Sequence, residues 1–174
     1  MKNEKIIVVG KSGSGKDFLL KGLIGRGERY YPKVTTRPIR DGEIYGVTYD
    51  YIDNEQFDFL LRENRVKVMQ KFKINNEYWN YAITVENFNK YNVFIMTPFE
   101  IKQLSDDDRK GCFIVYLDIE ESIRRERISN RLDNNDSIDR RILADEKDFL
   151  GFDTFDMRIS NPDFTISDIN LFAF

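Results

Sequence analysis

Apolar residues fall in short, β-branched runs separated by longer stretches of mixed polarity. KIIVV at 5–9 is continuous and too brief for a helix, so it reads as a buried strand. A glycine-rich turn and a helix over 16–24 follow, with Gly22, Gly25 and Gly27 loosening the far end. The stretch 34–52 holds Pro38, Gly42 and Gly46 and reads as loops and short strands; 55–62 is a short helix. Two strand-like runs, 65–72 and 78–83, flank the turn-like KINNE and suggest a hairpin. One or two helical turns are expected over 84–90, then a strand over 92–97. Pro98 opens a short helix at a position proline tolerates. SDDDRKG at 105–111 reads as a solvated loop and 112–117 as another buried strand. An arginine-rich helix covers 119–132, DNNDS breaks it, and a helix over 137–149 starts from Asp136 or Ser137 as N-cap. Short strands are expected at 157–160 and 164–166, before an apolar C-terminal turn.

Strands alternating with helices predict an α/β domain with a parallel core sheet and helices on both faces. The region 34–83 breaks the alternation and reads as an inserted lobe. No repeat, low-complexity tract or long linker divides the 174 residues, so one domain is expected.

Composition narrows the chemistry. The chain is 41% hydrophobic, 14% aromatic and 33% charged, as a globular fold with a solvated surface requires. Its net charge of −3 gives no support to nucleic-acid binding. No apolar run reaches membrane-span length, and the start is too short in apolar residues for a signal peptide. No membrane partner is therefore expected. The single Cys112 excludes internal disulfides and cysteine-based zinc sites, which points to the cytoplasm. Histidine is absent altogether, which removes Ser-His-Asp and Cys-His nucleophile pairs. Phosphoryl transfer to a phosphate acceptor tolerates that absence. The acceptor is already an anion near neutral pH, with a second pKa of roughly 6. It needs positioning and charge neutralisation more than a base.

GKSGSGKD follows the first strand. Gly10, Gly15 and Lys16 match G-x-x-x-x-G-K, with Lys11, Ser12, Gly13 and Ser14 between them. Glycines let backbone N–H groups turn toward phosphate oxygens, and the next helix points its positive end at the same anion. Lys16 is placed to reach the β- and γ-phosphates of a nucleotide. The next position is Asp17 where Ser or Thr is usual. A carboxylate also binds magnesium, so Asp17 is the candidate metal ligand. SGKD resembles the loops of phage deoxynucleotide kinases and of animal phosphomevalonate kinase.

VTTRPIRDGEIYGVTYDYI at 34–52 places Arg37 and Arg40 three apart around Pro38, with Tyr49 beyond them. Two guanidinium groups on a rigid loop suit bidentate phosphate binding. The stretch resembles the guanylate kinase family pattern TTRxxRxGExxGxxYxF at Thr35, Thr36, Arg37, Arg40, Gly42, Glu43, Gly46 and Tyr49, with Tyr51 at the final aromatic position. Weaker likenesses run over most of the chain. YWNYA at 78–82 is similar to the family's NYYGS, SIDRRI at 137–142 to its lid, and ISNPDFT at 159–165 to its last strand. The resemblance implies a P-loop NTPase three-layer α/β fold. It divides the chain into a core (about 1–33, 84–123 and 143–174), a nucleoside-monophosphate-binding insertion (about 34–83) and a helical lid (about 124–142). It implies ATP and Mg2+ as cofactors and a nucleoside monophosphate, GMP or dGMP first, as acceptor, in a monomer or homodimer. Lys16, Arg37, Arg131 and Arg141 take the catalytic positions, and Arg127 joins the loop in holding ATP.

The acceptor-side positions depart from the pattern. Gln70 stands where the family uses a Glu to accept guanine's N1 and N2 hydrogens. Trp79 replaces the phosphate-binding second tyrosine, beside Tyr78, and Tyr81 replaces a serine. Thr97 replaces a strand aspartate near base and metal. Asp17 then reads as a relocated carboxylate. These changes leave two alternatives beside a GMP kinase. One is a kinase of another nucleotide or small phosphorylated acceptor. The other is a non-catalytic phospholigand-binding module, which the intact Gly15 and Lys16 disfavour.

Overall fold

A computed structural model describes residues 4–74, 77–130 and 137–169. Its core is a four-stranded sheet in the order β6-β1-β7-β8, formed by β1 (Lys5–Gly10), β6 (Val93–Ile95), β7 (Cys112–Leu117) and β8 (Met157–Ile159). All three pairings are parallel. Successive side chains leave a strand on opposite faces. Ile6, Val8, Val115 and Leu117 therefore pack on one side with Leu19, Leu20 and Leu23 of α1 (Lys16–Gly25). Ile7, Val9, Ile114 and Tyr116 pack on the other, with Phe88 of α3 (Val85–Lys90) and Ile101 of α4 (Pro98–Ile101). Both faces are covered, which is why these strands read as unbroken apolar runs.

The inserted region forms a second four-stranded sheet, β3-β2-β5-β4, from β2 (Val34–Thr35), β3 (Asp50–Tyr51), β4 (Val66–Ile74) and β5 (Glu77–Thr84). The β4–β5 hairpin sets Gln70 opposite Tyr81 and Phe72 opposite Trp79. Between β3 and β4 lies α2 (Asn54–Arg62). Its reciprocal cap joins Asp53 and Gln56, and its Phe57 packs with Val34 and Ala82. The two sheets share a core, since Val68 and Ile83 join the Ile7 side of the parallel sheet. The Gln103 amide also binds the edge of β4, donating to Met69 O (2.7 Å) and accepting from Met69 N (3.0 Å).

Two expectations fail. SDDDRKG is not a loop: Ser105 caps a helix, α5 (Asp106–Lys110). Three aspartates at its N-terminal end and Arg109 and Lys110 at its C-terminal end complement the helix dipole. Residues 164–166 form no strand. The chain turns at Asn161–Pro162, where proline lacks the ladder N–H, and Phe164 instead fills the α1 side of the core. A 3₁₀ turn follows over Ile166–Asp168. The arginine-rich helix, α6, is seen over Glu121–Ser129, and the next, α7, over Ile138–Asp148 with Ser137 as its cap.

One ion pair ties the sheets together. Glu100, fully buried at the start of α4, accepts from Lys33 Nζ at 2.6 Å. Removing one partner of a buried pair costs about 3–5 kcal/mol, because the other charge stays buried. Lys33→Met should lose stability on that scale in urea unfolding. Adding Glu100→Gln should recover much of it.

Candidate active site

The phosphate loop links β1 to α1. Gly13 and Gly15 have φ of 77° and 98°, left-handed values that glycine adopts without strain. A Cβ on Gly13 would stand 2.6 Å from Arg124 O. Ser14 is fully buried and its Oγ has no hydrogen-bond partner. Gly15 caps α1 without a side-chain bond, leaving the helix N-terminus suited to an external anion. Lys16 Nζ folds back onto Gly10 O (2.8 Å) and Lys11 O (3.0 Å). The Ser12 amide donates to Asp145 Oδ2 at 2.7 Å, so a carboxylate already occupies one of the loop's donors. The loop fits a phosphate on these grounds. Asp17 is exposed in the first turn of α1. No group of three or more ligating side chains occurs among the described residues.

Helices α6 and α7 pack against this loop. Arg124, 1% exposed, donates to Ile119 O (2.9 Å) and Ser12 O (3.4 Å) and pairs with Asp145 and Glu146, each at 3.7 Å. Glu120, four residues earlier, is not among these partners. Burial of the guanidinium among loop and α7 atoms sets the observed partners instead. The parallel pair Glu121–Arg125 does form, at 2.6 Å. Arg127 donates to Gly13 O (3.5 Å) and Pro162 O (2.7 Å), which places it beside the loop. Lys11 pairs with Glu146 at 2.6 Å. Arg131 lies outside the described residues.

On the other side of the cleft, Arg37 is 4% exposed and held by both carboxylate oxygens of Glu43, at 2.7 and 2.8 Å. Its guanidinium lies 5.1 Å from the Tyr49 ring centre and 5.6 Å from that of Tyr51. Tyr51 Oη and the Arg40 amide also donate to Glu43. Burial pushes the Tyr51 phenol up to about 12, helped by its bond to Glu43. It also raises Tyr49 and Tyr81, while Arg37 pulls both back. Thr36 Oγ1 accepts from Asn80 N at 2.9 Å and so fixes the turn carrying Arg37 to β5.

A cavity of about 280 Å³ joins the two sides. Gly10, Ser12 and Lys16 line one end; Arg40, Trp79 and Tyr81 line another; Arg141 and Thr97 complete it. Gln70 is not itself part of the lining but contacts it through Asp148: it is 7% exposed, its Nε2 donating to Asp148 Oδ2 at 3.2 Å and its Oε1 without a partner. Trp79 Nε1, like Ser14 Oγ, is also buried without one. Tyr78 is not brought in. It is 52% exposed, and Lys71 Nζ lies 4.3 Å from its ring centre. Sequence reasoning missed Arg124, Arg140, Asp145 and Asp148, together with the Phe72 and Ile74 walls of the cavity. The helical spacing of Arg141, Asp145 and Asp148 was the available signal for α7. A larger cavity, about 540 Å³, lies between α2 and the β2–β3 edge, and no phosphate-loop residue lines it.

Burial would raise the Glu43 carboxyl, but bonds from Arg37, Tyr51 and the Arg40 amide hold it below the ordinary 4.5. The ionised form therefore stabilises the fold above that value, and its contribution is lost as pH falls through the folded-state pKa. Glu43→Gln should lower stability in urea at neutral pH. The gap from the unaltered protein should close in acid.

Residues 2–170 match the sequence profile of the family described as "Guanylate kinase". A guanylate kinase of Legionella pneumophila (strain Lens) is 32% identical over 174 residues, 91% of this chain and 78% of its own length. One from Rubrobacter xylanophilus is 26% identical over 165 residues, 91% of this chain and 86% of its own. The crystal structure of guanylate kinase from Anaplasma phagocytophilum aligns with a TM-score of 0.65, over 97% of this chain and 81% of that one. Its identity is 16%, so that likeness bears on fold alone. The profile match spans nearly the whole sequence, and the chain belongs to the guanylate kinase family.

Proposed function

We propose that this chain transfers the γ-phosphoryl group of ATP to GMP or dGMP, giving ADP and the nucleoside diphosphate. The observation that carries this reading is the single cavity shared by the phosphate loop, Arg40, Arg141 and the aromatic wall of the second sheet. A donor phosphate at the loop and an acceptor phosphate at Arg40 would face each other across it.

Each residue has a role in this reading. The loop amides and Lys16 hold the donor phosphates, with Arg127 beside Gly13. Arg40 reaches the acceptor phosphate, and Arg37, fixed by Glu43, supplies positive charge behind it with the Tyr49 and Tyr81 phenols. Arg141, with Arg131, brings further positive charge from the lid at 124–142 as phosphoryl transfer proceeds. The insertion at 34–83 is the acceptor lobe. Asp17 would help the phosphates hold magnesium, which would supply charge neutralisation there. Such a site needs only one or two carboxylates besides the phosphates. No base is required, since the acceptor oxygen is already anionic.

No helix among the described residues is long and apolar enough to cross a membrane. Cys112 is buried, and burial pushes its thiol up to about 11, so it is an inert core residue rather than a nucleophile. We place the reaction in the cytoplasm, in a monomer or homodimer.

The test is ADP release from ATP and magnesium with GMP, dGMP, AMP, UMP, CMP and dTMP offered in turn. GMP and dGMP should give the fastest release. Release with a different acceptor would replace the substrate, and no release with any would defeat the kinase reading. Lys16→Met should cut turnover by a factor on the order of 10²–10³, the scale for losing one preorganised charge at a transition state. Asp17→Ala should reduce turnover and raise the magnesium needed for half-maximal rate. Unchanged magnesium dependence would remove Asp17 from the metal site.

A further inference from the structure

We propose that Asp148, at the end of α7, is the carboxylate that reads the acceptor's guanine edge, with Gln70 as its positioning partner and second acceptor. This rests on the GMP reading above and adds the means of selection.

Guanine presents two adjacent donors, N1–H and the 2-amino group. A site that selects it has to offer acceptors to both. A glutamine by itself does not, since one of its two polar atoms is a donor. In this chain that nitrogen is already engaged: Gln70 Nε2 binds Asp148 Oδ2 at 3.2 Å through one of its two hydrogens. An ionised carboxylate only accepts, so this bond fixes which way the Gln70 amide faces. Gln70 Oε1 is then an acceptor on a side chain more than nine-tenths buried, and it has no partner. Leaving such an atom unpaired costs about 1–3 kcal/mol. It marks a place where a ligand donor belongs.

Asp148 supplies the rest. It lines the cavity that holds Lys16, Arg40, Tyr81 and Thr97. A carboxylate has about four lone-pair sites, and Gln70 uses one of them. With Gln70 held against Asp148, its Oε1 would join the remaining Asp148 lone pairs as a second acceptor, the complement of guanine's two donors. Adenine offers a donor and an acceptor along the same edge. Its N1 lone pair would face a carboxylate lone pair, which repels. Selection thus comes from a mismatch built against adenine as much as from the match to guanine. Phe72, Trp79 and Tyr81 supply flat apolar walls for the ring.

Asp148→Asn keeps the shape and turns one acceptor into a donor. kcat/KM should be measured for GMP and AMP, with the KM for ATP and the thermal midpoint as controls. For GMP, kcat/KM should fall about ten- to a hundredfold, mostly through KM, as expected when a buried polar group loses its match. The AMP value should hold or rise, so the GMP/AMP ratio drops at least about tenfold, while the ATP KM stays within about twofold. A purely structural role would lower both acceptors alike and leave the ratio unchanged, and that result overturns the inference. The double variant Gln70→Glu/Asp148→Asn exchanges amide and carboxylate while keeping two acceptors, and it should restore the ratio. Failure to restore it would also overturn the inference. A preference of the unaltered enzyme for another acceptor defeats the GMP reading itself. Preference for GMP with an unchanged ratio in Asp148→Asn defeats this inference alone.

Discussion

The guanidinium of Arg124 sits out of water where α6, α7 and the phosphate loop meet. Burying a charge costs several kcal/mol unless partners surround it. Here they come from three separate segments: Ile119 O at the start of α6, Ser12 O in the loop, and Asp145 and Glu146 on α7. None of the three segments can shift far without exposing the cost. The same approach brings Arg124 O against Gly13, where a Cβ would clash at 2.6 Å. A further consequence follows for α7. Asp145 accepts from the Ser12 amide, the kind of donor a phosphate oxygen uses. Anion binding at the loop and the position of α7 therefore draw on one hydrogen bond. Because α7 also carries Arg141 and Asp148, one helix joins the phosphate loop to the cavity that Arg40 and Tyr81 line.

The acceptor side uses the same device. Glu43 holds Arg37 through both terminal nitrogens, and Glu146 holds Lys11 beside the loop. Arg37 and Lys11 are thus each matched by an internal carboxylate, and Lys16 by the carbonyls of Gly10 and Lys11. Without such matching, Lys16, Arg37, Arg40 and Arg141 would repel one another around an empty cavity and bind any small anion. An incoming phosphate has to compete with carboxylates already in place, and only a ligand with further contacts at the base and donor ends gains enough to do so.

Much of this was legible in the chain. KIIVV, the loop glycines and Lys16 form one local unit, and local units can be read from spacing alone. The TTR stretch is equally local: Arg37, Glu43, Tyr49 and Tyr51 lie within fifteen residues and meet because Gly42 and Gly46 turn the chain between them with φ of 80° and 72°. Long-range placement was not legible. Arg124 has a glutamate at i−4 and reads as a surface pair, yet it is buried by packing against segments more than a hundred residues earlier and about twenty later. Asp148 lies 78 residues from Gln70, and nothing in either neighbourhood points to the other. Tyr78 and Trp79 are adjacent, and strand alternation decides which of them enters the cleft. Register across the hairpin, not composition, gives that place to Trp79 and Tyr81.

The departure at Thr97 has a structural cause that bears on the base pocket. Thr97 caps α4, its Oγ1 accepting from the Glu100 amide at 3.3 Å while Glu100 Oε2 accepts from the Thr97 amide at 2.8 Å. Glu100 is fully buried, with Lys33 as its counter-charge. An aspartate at 97 would put a second carboxylate against the first, whose own counter-charge is Lys33, and like charges at that distance disfavour ionisation of one of them. A negative charge for the base edge therefore has to come from another element. Asp148 meets that condition: it reaches the same cavity from α7, and Gln70 donates to it. Burial and the nearby Asp145 and Glu100 raise its carboxyl, and the Gln70 bond opposes them. Glutamine at 70 then stabilises the relocated charge, where a glutamate would repel it, so Gln70, Thr97 and Asp148 form one linked arrangement.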